Sequence, residues 1–349
     1  MRTFSRQRRQ AVLAGLATLI AASVQAQAPS LATYQGADRL ERIIAAAKLE
    51  GELSIYTSTP VDDIKPLTDA FERKYGIRTK VWRASSEKLL QRGVIEARAG
   101  RHDVDVFETN GPELEALVRE KLLTPVLSPA LPTLVPEATL AHRSWVGTRL
   151  LVFAIAYNTN LVRKADVPAR YEGFLDARWK GKLGIEAEDS DWFATVSGLM
   201  GETSAQTLFR GIVAANGVSL RKGHTLLANL VASGEVPLAL TVYNYKAEQL
   251  KNRGAPIDWY VISPAIARVN GVGVATHAPH PNAALLWYEF EIGEEGQRLL
   301  LARDFVPTSR SIDTPLNRLP LRLVDSQAVL DDADKWVRRY AEIFGPAPR

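Results

Sequence analysis

Apolar residues recur along this chain in two alternating rhythms. Leu40, Ile43, Ile44 and Ala47 are spaced to form one face of a helix that Gly51 would end. Leu53-Ser54-Ile55-Tyr56-Thr57 follows with the two-residue period of a strand. The rhythm then repeats. Ile64, Leu67, Phe71 and Tyr75 predict a helix closed by Gly76, residues 77–83 a strand, 85–99 a helix and 104–108 a buried strand. Asn110-Gly111-Pro112-Glu113 predicts a helix start in which Asn110 caps and Glu113 reaches back to it. Prolines 125, 129, 132 and 136 mark a surface connection without elements of its own. A long apolar strand, 150–157, comes next. Strands at 183–186, 238–242 and 271–275 then alternate with helices starting near Asp191, Ser204, Thr225 and Asn282. An amphipathic helix at 331–344 ends the chain. Such alternation predicts an α/β fold, and the lack of a long polar linker predicts two lobes packed closely together.

Composition narrows the possible chemistry. None of the 349 residues is cysteine, which excludes thiol catalysis, iron–sulfur clusters and disulfide staples. A positive start (Arg2, Arg6, Arg8, Arg9), an apolar stretch from Ala11 to Ala22 and small residues around Ala26 and Ala28 predict an export signal over residues 1–28. Arg8-Arg9 also fits a twin-arginine leader, so the export route stays open. The formal charge of +4 belongs to that segment. Of 43 basic residues it holds four, and the 39 that remain equal the 39 acidic ones. A footprint for nucleic acid or anionic lipid is therefore missing. The expected location is the periplasm.

Phosphate-loop, dinucleotide-fold, nucleophile-elbow and zinc-protease motifs are absent from the sequence. The five histidines, at 102, 142, 224, 277 and 280, read as surface residues. What remains is a set of polar turns at strand ends: Thr57-Ser58-Thr59, Ser85-Ser86, Thr109-Asn110-Gly111 and Tyr243-Asn244-Tyr245. In open α/β sheets ligands bind at the carboxyl ends of strands, although the same residues also serve as ordinary caps. Glu186-Ala187-Glu188-Asp189-Ser190-Asp191-Trp192 gathers four carboxylates. It reads either as a cation or amine site with Trp192 stacked on the ligand, or as an acidic first helical turn.

The stretches Leu53–Thr59, Arg83–Arg92 (RASSEKLLQR), Glu96–Glu113 (EARAGRHDVDVFETNGPE), Ala177–Phe193 (ARWKGKLGIEAEDSDWF) and Arg221–Gly254, in that order, resemble the substrate-binding proteins of bacterial ABC transporters. The resemblance is to the ferric-iron-binding, type II periplasmic branch. It implies two α/β lobes with a ligand cleft, joined by two crossing strands, near 150–157 and 262–275. The first lobe would comprise residues 29–150 plus 268–349, and the second 151–267. It also implies a monomeric solute-binding component that delivers its ligand to an inner-membrane permease and ATPase, with no enzymatic activity and no cofactor. Thr57, Ser58, Ser85, Ser86 and Asn110 would line one lobe; Asp189, Ser190, Trp192, Asn244 and Tyr245 the other. Iron-binding members use a His after the first strand, a Glu after the third and an adjacent Tyr pair. Here Thr59, Asn110 and Asn244-Tyr245 occupy those places. Tyr245 alone is kept as a metal ligand if iron is the cargo, and Tyr243 is expected to point the other way. The expected cargo is a small organic or phosphorus-containing solute, with ferric iron as the alternative. A secreted hydrolase using the 186–191 carboxylates is the reading from another class.

Overall fold

A computed structural model describes residues 30–345. The expected export signal lies outside the described residues. The chain starts with α1 (Arg39–Glu50), β1 (Glu52–Thr57), α2 (Val61–Tyr75), β2 (Arg78–Arg83), α3 (Ser86–Arg98), β3 (Val106–Asn110), α4 (Gly111–Arg119) and the short β4 (Leu123–Thr124). The long β5 (Val146–Asn158) leads to β6 (Leu183–Glu186), α5 (Ser190–Met200), α6 (Glu202–Asn216), β7 (Val218–Arg221), α7 (His224–Ser233), β8 (Leu238–Tyr243), α8 (Asn244–Asn252) and β9 (Ile257–Tyr260). The return strand is β10 (Ala265–Ala275). After it come α9 (Pro281–Ile292), α10 (Glu294–Leu301), β11 (Val306–Pro307), β12 (Leu321–Leu323), α11 (Ser326–Asp331) and α12 (Ala333–Phe344).

The main sheet runs β2-β1-β3-β10-β5-β8-β6-β7. β1 is parallel to β2 and β3, and β6 is parallel to β7 and β8, so each end of the sheet is a small parallel α/β unit. Between them β10 and β5 run antiparallel. All 13 residues of β5 are buried. At about 3.3 Å per residue the strand is long enough to serve both lobes. Its first part, up to Val152, pairs with β10, and from Phe153 it pairs with β8. A bulge interrupts the crossing pair at Asn270/Gly271. There the strands approach so closely that a Cβ on Gly271 would overlap the Val146 carbonyl oxygen.

The helices follow local chemistry. Gly51 and Gly76 end α1 and α2 with φ of 71° and 72°, the left-handed cap that glycine takes without strain. Ser85 caps α3 through Lys88 N–H at 3.4 Å. Asn110 departs from expectation: it sits at the N-cap of α4 but makes no side-chain cap bond. The proline-rich connection also departs. It holds two short 3-10 turns, 131–133 and 136–138, and buries Leu131, Leu134 and Ala138, because Pro suits the first position of such a turn.

The C-terminal segment touches both lobes. α11 packs on α4, whereas α12, amphipathic as expected, packs on α5 and α6. There Phe193, Phe209, Trp336, Tyr340 and Phe344 form one aromatic cluster. No described helix is long and apolar enough to cross a membrane.

Candidate functional site

The carboxyl ends of β1, β3, β6 and β8 face a cleft of about 880 Å³ between the two parallel units. Its floor comes from the crossing strands. Arg149 on β5 and Arg268 on β10 are close neighbours in the ladder, because Arg149 pairs with Asn270 and Arg268 with Leu151. Both arginines are buried, and each is claimed by an acid from a different lobe. Arg149 donates to Glu108 of β3 at 2.6 Å and to the hydroxyl of Thr59, and lies over the Phe305 ring. Arg268 donates through Nε to Asp191 of α5 at 2.5 Å, through Nη2 to its other oxygen, and through Nη1 to the Tyr243 hydroxyl at 2.6 Å. Burial would pull the Arg268 guanidinium down, but Asp191, Tyr243 and Asp189 together push it well above its usual value. Glu291 lies behind Arg149 with neither oxygen hydrogen-bonded. Burial, with Glu108 adding to it against Arg149, drives its carboxyl well above the carboxylate range.

The first-lobe wall is mostly neutral. Ser58 accepts from the Thr109 hydroxyl at 3.2 Å. Asn110 donates to Ser86 Oγ at 2.9 Å and accepts from Asn270 at 3.1 Å. Those bonds explain why it does not cap its helix: both ends of its amide are spent across the cleft lining. Glu113, in the first turn of α4, also lines the cleft and keeps one buried oxygen without a partner. Burial first, with Asp191 and Glu188 adding to it against Arg268, pushes its carboxyl up to about 7.

The second-lobe wall is charged. Glu186 ends β6, and its two oxygens accept Gly223 N–H at 2.7 Å and Glu188 N–H at 2.5 Å. Asp189 faces His224 at 3.2 Å and Arg268 at 3.6 Å. Burial would raise the Asp189 carboxyl, but His224 and Arg268 hold it below the usual range. Glu186 goes the other way, raised by burial and then by the Asp189 charge. The His224 ring stacks on Tyr243 with centroids 3.6 Å apart, and Tyr243 is followed by the near-parallel Tyr245 at 6.1 Å. Burial above all raises both phenols.

Seven of the ten residues expected at the site line this cleft: Ser58, Ser85, Ser86, Asn110, Asp189, Ser190 and Tyr245. Three do not. Thr57 is buried and turns inward to accept Thr59 N–H at 2.9 Å. Asn244 points to the crossing strand and accepts Val152 N–H at 3.2 Å. Trp192, 1% exposed, packs edge-on against Tyr171 and Phe209 and cannot stack on a ligand. Helix α5 starts at Ser190, which aims Asp191 at Arg268 and turns Trp192 into the lobe core. Tyr243 also corrects the expectation, since it faces the cleft while Asn244 faces away. His224 is no surface residue; it belongs to the wall.

Sequence reasoning missed Arg149, Arg268, Asn270, Glu113, His224 and Phe305. Arg149 stands one residue before the apolar strand read at 150–157 and Arg268 inside the crossing segment 262–275, and a charge beside or within such a run was the available signal.

The sequence profile of the bacterial extracellular solute-binding proteins matches residues 104–329. Iron uptake protein A1 of Synechocystis sp. is 24% identical over 317 residues, spanning 81% of this chain and 87% of that protein. The major ferric iron-binding protein of Neisseria meningitidis is 22% identical over 310 residues, 82% and 90% of the two chains. Among solved structures, iron-bound HitA from Pseudomonas aeruginosa superposes with a TM-score of 0.74 at 22% identity, covering 84% of this chain and 99% of that one. AfuA from Actinobacillus pleuropneumoniae, with fructose-6-phosphate bound, gives 0.75 at 20% identity and covers 85% and 99%. The likeness confirms the two-lobed periplasmic binding fold.

Proposed function

The chain belongs to the bacterial extracellular solute-binding protein family, and from that premise we propose that it captures a small polar organic solute in the periplasm for an inner-membrane ABC permease. The observation that carries this reading is the cleft itself: about 880 Å³, faced by polar side chains from both lobes. That volume falls in the range of about 300–1,000 Å³ that small organic ligands occupy, and far exceeds what one ion needs. The hydroxyls of Ser58, Ser86 and Tyr243, the Asn110 and Asn270 amides and the α3 and α4 N-termini would hold the solute. Closure of the lobes would follow, with no covalent step. The hydrolase reading loses support, because Asp191 is bound to Arg268 and Glu186 to two backbone N–H groups. Native mass spectrometry of protein from its own periplasm tests the proposal by identifying what it carries. Added at about 100 times its Kd, that solute should raise apparent stability by about 2.7 kcal/mol and reduce the radius of gyration. A higher melting temperature without compaction would contradict closure.

One observation favours ferric iron as a second reading: Tyr243 and Tyr245 both face the cleft. Two relatives carry iron in their names. Against it, Arg268 donates to the Tyr243 oxygen, and burial makes both phenolates expensive. Titrating metal-free protein with ferric citrate should therefore give little tyrosinate-to-iron absorption. A strong visible band that disappears in Tyr245→Phe would restore iron as the cargo.

A further inference from the structure

We propose that Glu186, Asp189 and His224 bind a divalent transition-metal ion of the zinc class on the second-lobe wall, with open coordination positions facing the cleft. Two turns at the carboxyl ends of neighbouring parallel strands bring these side chains together: Glu186 ends β6, Asp189 follows it, and His224 opens α7 after β7. Their ligand atoms all lie within 4.8 Å of one another. Donors about 2.0–2.2 Å from one metal stand no more than about 4.4 Å apart. Around a tetrahedral ion they stand about 3.4 Å apart, so side-chain shifts of about an ångström complete the set.

The donors also fit in kind. One imidazole and two carboxylates make the nitrogen–oxygen set that zinc accepts, whereas calcium and magnesium prefer oxygen alone. Asp189 is 1% exposed, yet its Oδ2 has no hydrogen-bond partner, and neither does Nδ1 of His224. The 3.2 Å between Asp189 Oδ1 and His224 Nε2 matches the spacing of two adjacent ligands on one ion. Each Glu186 oxygen accepts a single backbone N–H and keeps a second lone pair. Those N–H groups fix the carboxylate's orientation, as outer-shell donors do at metal sites.

Charge points the same way. Arg268 spends Nε and Nη2 on Asp191 and Nη1 on Tyr243, and Lys222 is paired with Glu188 at the rim. Asp189 is left with His224 and, at 3.6 Å, an Arg268 already committed to Asp191, and Glu186 accepts only backbone N–H groups, inside a buried wall where uncompensated charge is costly. A divalent ion balances them. No phenol belongs to the set and all three donors sit on one lobe. The ion would therefore bind before closure, and the solute could complete its coordination.

The test is calorimetric titration of metal-stripped full-length protein with zinc chloride, in two buffers of different ionisation enthalpy. Cobalt chloride serves as a visible-absorption probe. The expected result is one ion per chain with micromolar or tighter Kd, protons released on binding, and affinity lowered at least tenfold in both His224→Gln and Glu186→Gln. Glu186→Gln is isosteric, so it preserves the test if His224→Gln, which loses the Tyr243 stack, fails to fold. No zinc binding in the micromolar range would overturn the proposal, as would binding that both variants leave unchanged. So would loss of zinc in Tyr243→Phe but not in His224→Gln, which assigns the ion to the phenols. If zinc fails to bind while the native solute still closes the lobes, this site is refuted and the solute-capture reading stands.

Discussion

On the first-lobe wall the strand ends present hydroxyls and an amide, Ser58, Ser85, Ser86 and Asn110; on the second they present Asp189, Asp191, His224 and two phenols. Both walls arise from the same device, a parallel strand turning into a helix. They differ in where the acid stands. In the first lobe Glu108 lies on the strand behind the wall and holds Arg149 at the cleft floor. In the second, Asp191 lies in the first turn of a helix and holds Arg268 at the wall itself. A neutral wall can be altered one hydrogen bond at a time. A wall of interlocked buried charges responds as a unit.

Removing a floor arginine should give the largest effect. Arg268→Met leaves Asp191 buried without its counter-charge, and about 3–5 kcal/mol of stability should be lost in urea unfolding. A loss below about 1 kcal/mol would mean that the charged wall is not interlocked. Trp192→Ala should cost about 3–5 kcal/mol as a core truncation and leave solute affinity unchanged. A large drop in affinity at unchanged stability would return Trp192 to the ligand.

Glu113 is the exception on the neutral wall, and pH exposes it. Its carboxyl titrates near 7 in the folded chain against an ordinary 4.5. Between those values the folded protein holds one more proton than the unfolded chain. Stability should therefore fall as pH rises from about 4.5 to about 7, then level off. Glu113→Gln should remove that slope, gaining about 3 kcal/mol at pH 8 and nothing at pH 4, as followed by denaturation across pH. The smallest effect separates adjacent serines. Ser85→Ala should cost about 1 kcal/mol through its lost cap, whereas Ser86→Ala should spare stability and weaken the solute.

The same contrast explains what could be read in advance. Every strand of the two parallel units except β7 showed in the apolar rhythm, and the neutral wall was legible because Ser, Thr and Asn at strand ends are local signals. The charged wall was legible only in part: the sequence points to Asp189, Ser190 and Tyr245 there, shows Asp191 only within an acidic cluster, and reads His224 and Tyr243 as facing elsewhere. Whether Asp191 or Trp192 faces the cleft depends on where α5 begins, and a shift of one residue turns a side chain by about 100° around a helix. Arg149 and Arg268 become neighbours only through the β5–β10 register, which joins residues more than a hundred positions apart. Asn110 carried the cap signal but found better partners in Ser86 and Asn270, and Ser86 and Asn270 are far from it in sequence.

The C-terminal segment, with α11 on the first lobe and α12 on the second, changes the mechanics of the pair. Two adjacent strands alone act as a leaf hinge and permit bending about one line. A third link lying off that line must travel along an arc whenever the lobes swing, so its slack sets the stroke. Here the slack is one residue, Asp332, between two helices pinned close on either side of it. Arg119 holds Asp331 at 2.6 Å on one side and Lys335 holds Glu202 at 2.7 Å on the other. The last two described helices thus form a third link between the lobes, off the line of the crossing strands, and Leu330 and Ala333 on either side of their joint line the cleft.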